Sequence, residues 1–401
     1  MGKYLRLLRY ERAQGFVLYF RIRKLTVSRT PSPSTSFHSL THLQELKMSA
    51  IATGSPAPLA AVLDLPQPYL LFLGDAADQA FAKTAYGLRD WAPDRCVGEY
   101  ACPDAGVSIG LPALSPRAAQ ARGAKAVVVG VANPGGVIRD CWIAPLLEAL
   151  EAGLDLISGM HSKLEATAVL DDAARRLSRR LINVRSPPPG IPVASGRKRS
   201  GLRLLTVGTD CALGKKYTAL SIAHAFKEQG LDADFRATGQ TGILIAGSGI
   251  PIDSVVSDFV AGAAECLSPD AAAGHWDIVE GQGSIFHPSF AGVSLGLLHG
   301  TQPDVIVLCH ELGRDRILGL SNFATPDLPE AIELTLMLAR RTNSRVRCAG
   351  VSLNTSALNE RDARAALLEH RDRLNLPVAD PVRRGPEFDA LIAACLLGSR
   401  P

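Results

Sequence analysis

The chain has 401 residues, enough for two domains and a sizeable core, and its 47% hydrophobic and 20% charged content is ordinary for a globular protein. The net charge of +4 is uneven: residues 1–47 carry +7 and the remainder −3, which argues against a general nucleic-acid-binding surface on the body. No apolar run reaches the roughly 20 residues that cross a bilayer, and the eight cysteines form no C-x-x-C, so neither a zinc site nor a disulfide framework is expected and the compartment reads as a reducing cytoplasm.

Residues 1–47 alternate arginine with Leu, Tyr and Phe before a Ser/Thr/Pro-rich tract. Arginine-rich and acid-poor, they read either as a targeting presequence or, the favoured reading, as a disordered or non-native extension ahead of a start at Met48. From Pro66 the character changes. Tyr69 to Leu73 is a continuous apolar strand ending at Gly74-Asp75, followed by a helical pattern through Ala77, Phe81, Ala85 and Leu88. Ala126 to Val131 and Leu154 to Ile157 are further buried strands, with a helix from Ile143 to Ala152 between them. Alternation of this kind predicts a Rossmann-like parallel-sheet domain over residues 66–185. His161 lies in a loop at a strand end, where a lone histidine is more often solvated or hydrogen-bonded than a ligand contact. Residues 186–200, SPPPGIPVASGRKRS, read as an interdomain linker with Arg197-Lys198-Arg199 as its solvated end.

The second domain, residues 201–401, opens on the most informative stretch of the chain. Leu204 to Val207 is an apolar strand; it breaks at Gly208, passes Thr209 and Asp210, reaches Gly214-Lys215, and continues into an amphipathic helix to Gln229. Strand, glycine loop and helix together aim backbone N–H groups and a lysine at one point, which suits a phosphate. The match to G-x-x-x-x-G-K-[ST] is imperfect, because Lys216 stands where a magnesium-binding hydroxyl belongs. Thr218 cannot replace it, two residues along a helix being roughly 200° around the axis. Phosphate binding with a weakened or absent metal site is therefore expected. Cys211, inside the loop, reads as a small residue that fits there; no partner for a nucleophile is nearby in sequence.

Further strands are expected at Asp232 to Arg236, from Trp276 into Glu280-Gly281-Gln282-Gly283, at Asp304 to Leu308 and at Cys348 to Leu353. Helices are expected over Pro251 to Leu267, Leu328 to Arg341, Glu360 to Arg373 and Glu387 to Leu397. The pattern is α/β throughout, with a phosphate-loop NTPase-like C-terminal domain.

Several separated motifs, GTDCALGKKYTAL, RATGQTGI, VEGQGS, LFLGDAADQAFAKTAYGLRDW and GLDLISGMHSKL, resemble the DgcN-type D-glutamate N-acetyltransferases over about Pro66 to Leu397. The GTD…GK and VEGQG elements are also similar to dethiobiotin synthetase. The resemblance implies transfer of an acetyl group from acetyl-CoA, as co-substrate, to the amino group of D-glutamate, with no metal required. On that reading Gly208, Thr209, Asp210, Gly214, Lys215 and Lys216 hold the coenzyme A phosphates. Glu280 is the first choice of base and His287 the second, as both follow the strand expected beside the loop. Arg236, Gln240 and Arg314 are candidates for the acceptor, guanidinium forks suiting a dicarboxylate. Two other readings stay open: an ATP-dependent ligase or small-molecule kinase with magnesium on Glu280 or Asp258, and a non-catalytic nucleotide or coenzyme A sensor. Partners are expected to be small molecules and further copies of the chain, with no nucleic acid or membrane.

Overall fold

Tyr69–Gly74 is buried along its whole length, so as a strand it needs cover on both faces, the condition of a parallel sheet interior. In the computed structural model, which describes residues 63–398 except Pro134, this strand is β1. The sequence reading of residues 1–47 lies outside the described residues. Around β1 lie α1 (Lys83–Trp91), β2 (Cys96–Ala101), α2 (Pro116–Ala121), β3 (Ala126–Val129), α3 (Asp140–Glu151), β4 (Asp155–Ser158), α4 (Ala168–Leu177) and β5 (Leu181–Asn183). The five strands are ordered β2-β1-β3-β4-β5, and every pairing is parallel. Phe72 meets Trp142 of α3 edge to face, and the indole N–H donates to Asp75 at 2.8 Å, fixing the end of β1 against the helix layer.

The second sheet is built from β6 (Leu202–Gly208), α5 (Lys215–Glu228), β7 (Ala233–Arg236), α6 (Gln240–Ala246), α7 (Val260–Leu267), β8 (Trp276–Val279), α8 (Ala291–Thr301) and β9 (Val305–Glu311). A short antiparallel hairpin follows, β10 (Arg316–Ile317) with β11 (Leu320–Ala324), and then α9 (Leu328–Ala339), β12 (Arg347–Asn354), α10 (Glu360–Leu374), β13 (Val378–Ala379) and α11 (Pro386–Leu396). The sheet is all parallel in the order β13-β12-β9-β6-β8-β7. Because β6 has β8 on one side and β9 on the other, the direction of winding reverses at β6. A ligand crevice is expected outside the carboxyl end of such a strand.

The two sheets share a core. Leu71, Leu73 and Leu88 pack in one buried cluster with Leu220, Ile243, Leu244 and Ile245. Tyr217 of α5 donates to Asp90 of α1 at 2.6 Å, and Thr84 and Thr241 are 2.9 Å apart through their hydroxyls. The carboxyl ends of both sheets face each other, with Gly159 after β4 against Gln240 and Arg185 after β5 bonded to it, and the space between these strand ends is a cleft.

Two expectations fail here. Pro251 to Leu267 is not one helix: Val255 and Val256 are extended, with ψ of 138° and 136°, and they separate a first 3₁₀ turn, Ile252–Ser254, from a second, Ser257–Phe259, which runs directly into α7. Adjacent β-branched residues favour that extended geometry. Nor is the basic end of 186–200 solvated throughout: Arg197 and Lys198 are exposed, but Arg199 is not. Arg199 is 4% exposed and donates to the carbonyls of Ala264, Glu265, Ser268, Gly300 and Thr301, at the carboxyl ends of α7 and α8. Of these only the Ala264 carbonyl also accepts a backbone N–H of its helix end, that of Ser268, and all sit at the negative end of a helix dipole, which suits a buried guanidinium. Lys198 donates to Asp304 at 2.8 Å, and the N–H groups of Ser195 and Gly196 donate to Glu265. The segment is laced onto the second sheet's helices.

Candidate active site

Where β6 ends, Gly208 and the turn after it lead to Gly214, whose φ of 109° turns the chain into α5. The opening N–H groups of a helix have no intrahelical acceptor, so they face outward at the positive end of the dipole. Lys215, 7% exposed, folds over its own loop and donates to the Asp210 carbonyl at 2.7 Å. The Asp210 carboxylate, fully buried, accepts from the N–H of Cys211 at 2.6 Å, the N–H of Leu318 at 2.7 Å and Arg314 Nη1 at 3.1 Å. Thr209 Oγ1 lies 2.8 Å from His310 Nδ1. Thr206 accepts the Gly281 N–H at 2.9 Å and Ser284 donates to the Gly208 carbonyl at 2.8 Å, so the loop is joined to the element that follows β8. Thr218 bonds to the Gly214 carbonyl and the Ser352 hydroxyl, which keeps it out of the concavity.

Lys216 does not join Lys215. It leaves the phosphate concavity for the cleft, where its Nζ sits 5.1 Å from the Tyr217 ring centre and beside α1. A Cβ on Gly87 would come within 2.7 Å of that Nζ, so only glycine lets the lysine pass without a shift. Burial pushes the Lys216 ammonium down to about 8, against the pull of Glu280 and Asp90, with Lys83 adding to the depression. Cys211 is no activated nucleophile, since burial raises its thiol above the ordinary value despite Lys215.

Glu280 is 3% exposed. One carboxylate oxygen accepts the N–H groups of Thr238 at 2.9 Å and Gly239 at 3.0 Å, which orients the side chain toward the cleft. Burial raises its pKa, while those N–H groups and Lys216 oppose the rise and Asp253 reinforces it. His287 is also buried, but both ring nitrogens are occupied. Nδ1 accepts the Ser289 N–H at 3.1 Å, so the proton sits on Nε2, which faces the Leu318 carbonyl at 3.4 Å. The ligand-type atoms of Asp210, Cys211 and His287 lie within 4.8 Å of one another, yet Arg314 already neutralises Asp210 there.

The two arginines expected to clamp a dicarboxylate are engaged elsewhere. Arg236 turns back along the sheet, its Nε 2.5 Å from Asp277 of β8, with Asp234 its second partner. Arg314, 17% exposed, is spent on Asp210, Glu311 and the Cys211 carbonyl; it braces the phosphate loop. Asp258 is exposed in the Ser257–Phe259 turn. Gln240, at the start of α6, does face the cleft, and there it meets residues the sequence reading did not assemble. Its Oε1 accepts from Arg185 Nη2 at 2.5 Å. Arg185 also reaches the His161 ring and, at 3.2 Å, Asp253. Gly159, at the end of β4, permits this approach, since a Cβ there would lie 2.6 Å from Gln240 Cγ. His161 and Gln240 were visible as polar strand-end loops; Arg185, just past the short β5, carried no local signal.

Comparison with known proteins gives a consistent set of matches. The family model described as the DUF1611 N-terminal Rossmann-like domain covers residues 94–187, and that of the DUF1611 C-terminal P-loop domain covers 192–391. A D-glutamate N-acetyltransferase of Tritonibacter scottomollicae is 48% identical over 328 residues, covering 81% of this chain and 98% of that protein. Another from a Pseudoalteromonas species is 46% identical over 331 residues, covering 82% and 99%. The crystal structure of a DUF1611 family protein from Anabaena variabilis aligns with a TM-score of 0.75 at 32% identity, covering 82% of this chain and 99% of that one. Among the described residues, no helix is long and apolar enough to cross a membrane.

Proposed function

The chain belongs to the DUF1611 family, and from that premise we propose that it is an N-acetyltransferase moving the acetyl group of acetyl-CoA to the amino group of D-glutamate, working on small molecules in the cytoplasm. The names of the two relatives support the reaction. The observation that carries the reading here is the parting of the two lysines: Lys215 stays over the phosphate loop and Lys216, in the place of a metal-binding hydroxyl, turns to the Tyr217 ring and Gly87 of α1, within the electrostatic reach of Glu280. A carrier anchored by its phosphates needs the first and has no use for the missing hydroxyl. The residues fit such a carrier, since the helix N–H groups and a buried ammonium provide an anion cradle beside a cleft that contains a proton acceptor.

The acceptor enters as an ammonium and must lose a proton before its nitrogen can attack. Glu280 takes that proton, its other oxygen held by the Thr238 and Gly239 amides so that the carboxylate need not reorient. The amine then adds to the thioester carbonyl carbon. The Lys216 charge favours the oxyanion that forms, and collapse breaks the C–S bond. The nitrogen gives up its second proton to solvent, and coenzyme A leaves as the thiol, taking the first proton back from Glu280, so that one proton is released per turnover.

Purified protein given acetyl-CoA and D-glutamate is expected to release free thiol and form N-acetylglutamate in the presence of a chelator. No thiol above the no-enzyme control, together with magnesium-dependent turnover of ATP, would replace this reading with that of a ligase or kinase.

A further inference from the structure

Arg185 stands at the carboxyl end of the first sheet, directly opposite the strand ends of the second. Its side chain is 11% exposed. Nη2 donates to Gln240, Nη1 faces the ring of His161 and the carboxylate of Asp253, and Nε is buried with no hydrogen-bond partner among the described residues. A buried donor without an acceptor is costly to maintain, and native interiors rarely keep one without a use. The Nε and Nη2 edge of a guanidinium is one of its two bidentate forks for a carboxylate. Here that edge meets only an amide oxygen, and Gln240 can turn its amide to donate instead of accept. Asp253 holds the opposite edge through a single 3.2 Å contact, keeping the guanidinium in place without covering the free edge.

Resting on the acetyl-transfer reading, we propose that the Nε and Nη2 edge of Arg185 binds a carboxylate of the amino-acid acceptor, with Gln240 turning to donate to it and His161 and Asp253 positioning the guanidinium. The placement connects directly to Glu280. Gln240 follows Gly239, whose N–H holds the Glu280 carboxylate, so one turn of chain positions both the acceptor's carboxylate and the base for its amine. Burial holds the Arg185 guanidinium below the ordinary arginine value against the pull of Asp253, and burial with the nearby Arg185 charge lowers the His161 pKa, again with Asp253 opposing. A second anion from the acceptor relieves the first of these penalties. The acceptor class that fits is an anionic amino acid.

The test is calorimetric titration of D-glutamate, and separately of D-glutamine, into the full-length protein with and without coenzyme A, alongside thiol release. Arg185→Lys, which keeps the charge but not the fork, is expected to weaken D-glutamate binding about 10- to 100-fold and to leave coenzyme A binding within about twofold. Should Arg185→Lys fail to fold, Gln240→Glu provides a second test, since an internal carboxylate on the same edge should block D-glutamate while the melting temperature is kept. If the loss falls on D-glutamate but spares D-glutamine, Arg185 takes the side-chain carboxylate; an equal loss on both assigns it the α-carboxylate. Unchanged D-glutamate affinity in both variants, or equal losses for D-glutamate and coenzyme A, would overturn the proposal. Arg185-dependent binding without any thiol release would instead sink the acetyl-transfer reading and leave the carboxylate site standing.

Discussion

At the phosphate loop, Asp210 answers three donors and Lys215 is answered by a carbonyl of its own loop, whereas across the cleft Arg185 reaches three residues and still leaves Nε unmatched. The first region is closed on itself. Its partners come from residues 206–215, from the segment after β8 and from the run around Arg314, and they hold the anion cradle in shape without a ligand. The second is assembled from side chains of both sheets and is incomplete. The contrast separates two tasks that an acyl-transfer site must combine. On the proposed reading, a carrier shared by many enzymes would be gripped by a rigid backbone motif, and the acceptor, on which specificity turns, would be met by side chains whose hydrogen bonds are left for it to fill.

If that division holds, substitutions in the two regions should fail differently. The largest effect is expected where they meet. Glu280→Gln should lower kcat by about 10²- to 10⁴-fold, the usual range for loss of a general base, with both substrate affinities little changed. Comparable losses of affinity at both substrates, with a lower melting temperature, would instead make Glu280 a brace for the Thr238–Gly239 turn. Next comes the carrier side. Lys215→Ala should weaken acetyl-CoA binding by about 1.5–3 kcal/mol, the worth of a hydrogen bond to a charged group, and D-glutamate binding by much less. Calorimetry with each ligand reads the ranking, and the reverse order would place the wrong ligand in the loop.

The same contrast explains what the sequence disclosed. The phosphate loop was legible because its parts are consecutive: an apolar strand, glycines and a lysine within one short run. Glu280 was legible as the acidic end of the next strand. The acceptor side was not, because Arg185 and Gln240 are 55 positions apart and meet only once two sheets share a core. Position at a strand end also misled. Arg236 closes β7 in the sequence, yet Asp277 on the neighbouring strand draws its guanidinium back along the sheet. Composition misled at Arg199, since a basic run after prolines and glycines looks solvated, and nothing in those residues reports two helix ends waiting for a cation.

The smallest expected effect concerns how tightly the closed region is fastened. His310, at the end of β9, bonds through Nδ1 to Thr209 in the loop. Burial, with His370, Arg314 and Arg373 nearby and only Asp315 opposing, pushes its pKa down to about 4 from an ordinary 6.5. Between those values the unfolded chain binds more protons than the folded one, so stability rises with pH across that window. The contribution is complete above pH 6.5 and is lost as pH falls toward 4, where a charged ring would face three cationic neighbours and give up its Nδ1 acceptor. His310→Asn keeps an acceptor near that position and removes the titration. Its melting temperature should fall less steeply than that of the parent between pH 7 and pH 5, and parallel slopes would show that His310 does not couple the loop to pH.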